Sequence, residues 1–330
     1  MFRLALILLA SLPLAAQSPL DGIDSLIASA MKDWGVPGAA VAVVRGTEVI
    51  YLKAFGPVTP QTPFDTGSVT KPFTALALGT LADEGKLDWD APIRSYIPAF
   101  RMRDPWAAER ATMRDLLTHR AGLPAEGAPE FERLKDLEAA ADFRSEFRYS
   151  NLGYVVAGRI AGALAGTSWE DLVRRRIFGP LGMKNSGFSP EGEVRSSAGD
   201  LAQFLLAELG AGKAVVSAKT LAEMQRPQVV SGSGSEFPEL AGTNAYGLGW
   251  GILHYRGNKM AEHGSGARAG FEALVSLLPD KKIGVAVLTT SGRHPVCTIV
   301  ALNVYDRLLG LDQKPWNERF LRIREGARRR

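Results

Sequence analysis

A chain of 330 residues with 46% apolar and 22% charged side chains has an ordinary globular balance and enough material for a large core, arranged as one or two closely packed lobes. Its formal charge of +4 is no nucleic-acid signal, because residues 319–330 hold six arginines against Glu325 and leave −1 for everything before them. A single cysteine, Cys297, excludes an intramolecular disulfide.

In chain order, residues 1–18 have the form of a secretory signal. A short start carrying Arg3 precedes an apolar stretch from Leu4 to Leu12, then small residues at Ala15, Ala16 and Ser18. The apolar run is too short to span a bilayer as a mature helix, so export to the periplasm or the exterior is expected. The run Gly38 to Val44, the turn Arg45-Gly46 and the run Val49 to Leu52 predict two β-strands joined tightly. The spacing of Phe73, Leu76, Ala77 and Leu81 predicts a helix stopped near Gly85. Further helices are expected over Met113 to Leu117, Leu152 to Leu164, Trp169 to Ile177, Asp200 to Leu209 and Pro295 to Leu309. The stretch Ser231-Gly232-Ser233-Gly234-Ser235 predicts a surface loop. Phe271 to Leu278, the turn at Pro279-Asp280-Lys281 and Ile283 to Leu288 repeat the pattern of paired strands. Strands at both ends around a helical middle imply one sheet built from the termini, with the middle inserted into it. Cys297 lies in an apolar run and is expected to act as a small buried hydrophobe. The last segment, 313–330, is expected to be a solvated basic tail, with at most peripheral contact to an anionic membrane surface.

The chemistry concentrates at Ser68-Val69-Thr70-Lys71. Three-residue spacing on a helix puts the hydroxyl and the amine on one face, one turn apart. A hydroxyl becomes a useful nucleophile only when something takes its proton, which a desolvated amine beside it can help to do. The helix N-terminus favours developing negative charge, and the Ser68 N–H can donate to it. Pro72 fits a first turn, where its missing N–H loses no bond. As a bare pattern, Ser-x-x-Lys is common and also describes a helix cap followed by a surface lysine.

The surrounding text is more specific. Thr66-Gly67-Ser68-Val69-Thr70-Lys71-Pro72-Phe73, Glu84-Gly85-Lys86-Leu87, Leu116-Leu117-Thr118-His119-Arg120-Ala121-Gly122-Leu123-Pro124, Tyr149-Ser150-Asn151-Leu152-Gly153-Tyr154 and Pro180-Leu181-Gly182-Met183 resemble, in that order, the serine β-lactamase-like family. That family includes class C β-lactamases, DD-carboxypeptidases, D-amino-acid amidases and esterases, and the resemblance covers roughly residues 20 to 310. It implies an α/β (α+β) fold of the β-lactamase/transpeptidase type. An antiparallel sheet from the N- and C-terminal strands would be flanked by helices, with a helical lobe inserted. The catalytic domain would run over 19–312, its α/β part over about 19–65 and 240–312 and its helical lobe over about 66–239.

By that resemblance Ser68 is acylated, Lys71 helps to deprotonate it, and Tyr149 passes a proton to the leaving group. A phenol, with an ordinary pKa of about 10, can act as a base only if nearby cations hold its anion, so the role requires Lys71 beside Tyr149. Asn151 is implied to orient Lys71 and to contact the acyl-side amide. The third family element, Lys-Thr-Gly or His-x-Gly, falls in Glu262-His263-Gly264-Ser265-Gly266-Ala267-Arg268-Ala269-Gly270. Counting from His263 gives His-Gly-Ser, and counting back from Gly270 gives Gly264-Ser265-Gly266; one extra residue accounts for both. The favoured register makes His263 the cleft residue that helps bind a substrate carboxylate; in the other the cation is missing and Arg268 or nothing replaces it. The second oxyanion donor is then the N–H of Gly266 or Ala267.

The implied activity is an exported serine hydrolase acting through an acyl-enzyme on an ester, a D-amino-acid peptide or amide, or a β-lactam. The irregular third element favours esterase or peptidase over true β-lactamase. The alternative is a weakly active or non-catalytic ligand or peptidoglycan sensor. Partners are a small ester, amide or peptidoglycan-like peptide, and no nucleic acid. No metal or organic cofactor is expected: His254 and His294 lack spaced partners, and Gly264, Gly266 and Gly270 precede a strand where a dinucleotide loop would follow one. His119 is expected to have a structural hydrogen-bonding role. No Gly-x-Ser-x-Gly occurs, which excludes the α/β-hydrolase elbow.

Overall fold

The computed structural model describes residues 19–127, 130–233, 235–266, 270–292 and 294–328; the signal-like segment, Ala267 and Arg268 lie outside them. Helix α1 (Ile23–Trp34) leads into a hairpin of β1 (Ala39–Arg45) and β2 (Glu48–Phe55), and a two-residue strand β3 (Phe64–Asp65) follows. The inserted lobe then carries helices α2 (Thr70–Asp83), α3 (Pro105–Arg110), α4 (Met113–Leu117), α5 (Asn151–Ala165), α6 (Trp169–Val173) and α7 (Gly179–Leu181). It continues through short strands β4 (Gly187–Phe188) and β5 (Val194–Ser196) to α8 (Ala198–Glu208) and α9 (Ala218–Met224). Six strands return to the main sheet: β6 (Val229–Ser233), β7 (Thr243–Tyr246), β8 (Gly251–Tyr255), β9 (Asn258–Gly264), β10 (Glu272–Leu278) and β11 (Ile283–Thr289). Helices α10 (Val296–Leu308) and α11 (Trp316–Arg328) close the described chain.

The eight strands run in the order β2-β1-β11-β10-β9-β8-β7-β6, antiparallel throughout, so the first hairpin joins the last strand where β1 pairs with β11. Helices cover both faces of its centre, which explains why β1 and β11 are unbroken apolar runs. Ala39, Val41 and Val43 face a cluster with Ile27 of α1 and Val300 of α10, while Ala40, Ala42 and Val44 face the lobe and Leu205 of α8. Period-two alternation thus sends successive side chains into two different cores.

Two segments depart from the sequence expectations. Val229–Ser233 is edge strand β6, so Ser231-Gly232-Ser233, expected as the start of a surface loop, belong to a strand. Its register shifts between Val230 and Gly232, and Val230 is 62% exposed, so the apolar alternation that marks a strand is absent. The C-terminal part of the main sheet accordingly begins at 229 instead of about 240. The segment expected to be a solvated basic tail is largely helix α11. Trp316 at its start is fully buried and donates to Asp306 Oδ2 at 2.9 Å, and Arg319 makes a two-pronged pair with Glu239 at 2.8 and 2.9 Å.

Candidate active site

Ser68 sits in a single 3-10 turn, Gly67–Val69, that runs directly into α2, so the amine of Lys71 rises beside it one turn on. Lys71 Nζ lies 3.0 Å from Ser68 Oγ and 2.7 Å from Asn151 Oδ1, donating to both. Tyr149 OH donates to Ser68 Oγ at 3.1 Å. The ammonium lies 4.7 Å from the centre of the Tyr149 ring and 5.4 Å from that of Tyr154, close enough for cation–π attraction. Lys71 is only 5% exposed, whereas Tyr149 is 37% exposed, so the pair grades from the interior to the cleft.

Local capping explains why residues 81 positions apart meet. Ser150 caps α5, its hydroxyl accepting from Gly153 N–H at 3.0 Å and donating to Pro124 O at 2.6 Å. That fixes the entry of the chain, with Tyr149 on one side of the cap and Asn151 on the other. His119 holds the same corner from below. It has a left-handed backbone (φ 58°), and its Nδ1 accepts from Ser150 N–H at 3.0 Å. Its ring lies 4.4 Å from that of Tyr149. Burial, with Lys71 and His263 nearby, pushes the imidazole well below its ordinary pKa, so it is neutral with its proton on Nε2. Nε2 is buried without a hydrogen-bond partner among the described residues, surrounded by the rings of Tyr149, Tyr154 and Tyr246. This agrees with the structural hydrogen-bonding role expected of His119 and ties it directly to the orientation of Tyr149.

The third element forms the end of β9, which abuts the Ser68 turn. Gly67 has φ +53°, and a Cβ there would stand 2.9 Å from Ser265 O, so only glycine allows the Ser68 turn to approach this strand. Ser265 extends the ladder past Gly264, its N–H donating to Ala273 O at 2.8 Å, and Gly266 turns away with φ +72°. His263 departs from its expected role as a carboxylate-binding cation. It is 8% exposed, Nδ1 donates to Gly264 O at 3.0 Å, and Nε2 accepts from Tyr246 OH at 2.9 Å. Burial, reinforced by the charge of Lys71, pushes its pKa down to about 3, so it is uncharged at neutral pH. Of the two candidate oxyanion donors, Gly266 lies on this edge and Ala267 outside the described residues.

A cleft of about 660 Å³ opens from Ser68 along the exposed face of α5. Val155, Gly158 and Trp169 line it together with the 191–193 segment, which is held near the start of α2 where Val194 N–H donates to Thr70 Oγ1 at 2.8 Å. Glu126, Tyr154 and Tyr246 were not singled out from sequence. Tyr154 carried a signal, since it closes the Tyr149-Ser150-Asn151 segment that supplies two groups to Ser68 and Lys71. Glu126, in an irregular loop, carried none.

The sequence profile of a family described as Beta-lactamase matches residues 23–299. Among curated relatives, the unguisins hydrolase ungD' of Aspergillus campestris is 29% identical over 82% of this chain, which spans 61% of that protein's length. Penicillin-binding protein 4 of Amycolatopsis lactamdurans is 28% identical over 83% of this chain and 85% of its own length. Among solved structures, the octameric penicillin-binding protein homologue from Pyrococcus abyssi superposes with a TM-score of 0.76 at 27% identity, covering 88% of this chain and 77% of that one.

Proposed function

The chain belongs to the β-lactamase family, and from that premise we propose that it is an exported serine hydrolase that works through an acyl-enzyme on Ser68. The observation that carries this reading is the convergence of Lys71 Nζ and Tyr149 OH on Ser68 Oγ, at 3.0 and 3.1 Å. Ser68 Oγ attacks the substrate carbonyl while its proton leaves through the Lys71–Tyr149 pair. The oxyanion forms at the N-terminal end of the helix, where backbone N–H groups point outward. Tyr149 returns the proton to the departing oxygen or nitrogen, and the acyl group stays on Ser68. Water, deprotonated by the same pair, then releases the acid and restores the hydroxyl.

Among the family's reactions, ester or peptide hydrolysis fits this chain better than β-lactam hydrolysis. A β-lactam brings a carboxylate, and the residue expected to meet it, His263, is buried and uncharged. A sensor without turnover would need neither the amine nor the phenol aimed at the hydroxyl. Export rests on the form of residues 1–18 alone. Labelling with a fluorophosphonate tests the proposal: wild type should label within minutes at micromolar probe, and Ser68→Ala should not label. Equal labelling of the two proteins overturns it.

A further inference from the structure

Asn151 is held between two charged side chains. Its Oδ1 accepts from Lys71 Nζ at 2.7 Å, and its Nδ2 donates to Glu126 Oε1 at 2.7 Å. An amide has an accepting end and a donating end of nearly equal shape, so its neighbours decide which way round it sits. An ammonium brings donors alone and a carboxylate acceptors alone, so Lys71 and Glu126 require the same orientation from opposite sides. Lys71 imposes that requirement only while it is charged. As a neutral amine it carries a lone pair as well as N–H groups, and would accept from Nδ2 as readily as it donates to Oδ1. Glu126 is then the partner that keeps the amide oxygen turned toward Lys71.

The orientation bears on the proton of Ser68, whose Oγ lies 3.0 Å from Lys71 Nζ. A neutral amine that donates to Oδ1 keeps its lone pair for that proton: the O–H bond breaks as the bond from Oγ to the carbonyl carbon forms, and the proton ends on nitrogen. With the amide reversed, Nδ2 would occupy the lone pair and leave the hydroxyl without an acceptor there. The backbone of the loop fixes where Glu126 stands. Pro124 O accepts from Ser150 Oγ at 2.6 Å, and Ala125 O accepts at 3.0 Å from the N–H of Leu152, a first-turn donor of α5 with no partner inside the helix. Neither contact depends on the side chain at position 126. What the carboxylate adds is the bond to Asn151, the one hydrogen-bond donor it meets among the described residues.

We propose that Glu126 is a positioning residue for acylation: it fixes the amide of Asn151 and thereby reserves the lone pair of Lys71 for Ser68. The inference rests on the acyl-enzyme reading of Ser68.

The test follows the burst of nitrophenolate from p-nitrophenyl acetate, whose acetyl group offers Glu126 no polar atom, with the full-length protein. Glu126→Ala should lower the acylation rate constant about tenfold and leave the half-saturating ester concentration within about twofold of wild type. Glu126→Gln keeps an acceptor and should recover most of the rate, whereas Glu126→Lys brings donors alone, favours the reversed amide and should be slowest. With Asn151→Ala as background, Glu126→Ala should cost nothing further, because the group it acts through is gone. A loss that came from a loosened loop would persist in that background and would lower the melting temperature, which should stay at the wild-type value in all three position-126 variants. Wild-type acylation by Glu126→Ala or by Asn151→Ala, or an equal loss from Glu126→Ala with and without Asn151, overturns this inference and leaves Ser68 chemistry standing. No burst together with no fluorophosphonate labelling of wild type overturns the reading beneath it.

Discussion

Ser68 Oγ accepts from an amine on the helix that follows its turn and from a phenol 81 residues further along, and the proposed chemistry uses both. Lys71 is held by Asn151 and by the faces of two tyrosine rings, so its charge stays beside the phenol in a nearly buried position. Lys71→Ala is expected to lower the acylation rate with a p-nitrophenyl ester by about 10²–10⁴-fold. Tyr149→Phe removes one oxygen and should fall in the same range. Because the two residues handle one proton, the double variant should be little worse than the poorer single variant. Stopped-flow bursts of nitrophenolate check all three proteins, and wild-type bursts from either single variant would refute the assigned roles. At this scale Ser68, Lys71, Tyr149 and Asn151 were legible in sequence because their spacing is local and their motifs are dense. Glu126 was not, because its role depends on a loop conformation that has no periodicity, and the charge state of His263 was not, because burial and Tyr246 determine it.

Individual elements show how tertiary packing sets what sequence pattern leaves open. Helix α5 was legible almost to its ends, and Ser150 as its cap supplies the stop that positions Tyr149. Strand β9 is weakly marked, with Glu262 and His263 adjacent where alternation would put one apolar side chain, because His263 on one of its faces bonds Tyr246. Helix α8 carries a buried acid at its end: Glu208 is 1% exposed, and its Oε1 has no hydrogen-bond partner among the described residues. Burial pushes its carboxyl up to about 8, so the folded protein keeps a proton that the unfolded chain releases above about 4.5. The unfolded state therefore binds fewer protons between those values, and stability should fall as pH rises through this window. Glu262 and Glu272, both raised to about 7 by burial, act in the same sense. Glu208→Gln should flatten the decline without abolishing it, read as urea midpoints at pH 5 and pH 8. A variant whose midpoints drop as steeply as those of wild type would show that Glu208 is ionised in the fold.

At the scale of the whole molecule, the sheet joins the two ends of the chain and the inserted lobe brings the Ser68 turn against the end of β9, with α5 packed on α2, so the site lies where the two parts meet. Paired apolar runs near both ends of the chain made that arrangement legible, since β1 and β11 could find partners only in each other's neighbourhood. Composition points to a solvated C-terminal segment because six arginines outweigh one tryptophan in any count, whereas Trp316, with Phe320 and Ile323 beside it, anchors α11 on the core. The account as a whole requires covalent chemistry at this junction. Intact-protein mass spectrometry of a reaction with a slowly released ester, quenched in acid within the first turnover, tests this directly. One acyl group per chain should appear, should map to the peptide containing Ser68, and should be missing from Ser68→Ala. Hydrolysis by wild type with no adduct at Ser68, or undiminished hydrolysis by Ser68→Ala, would contradict it.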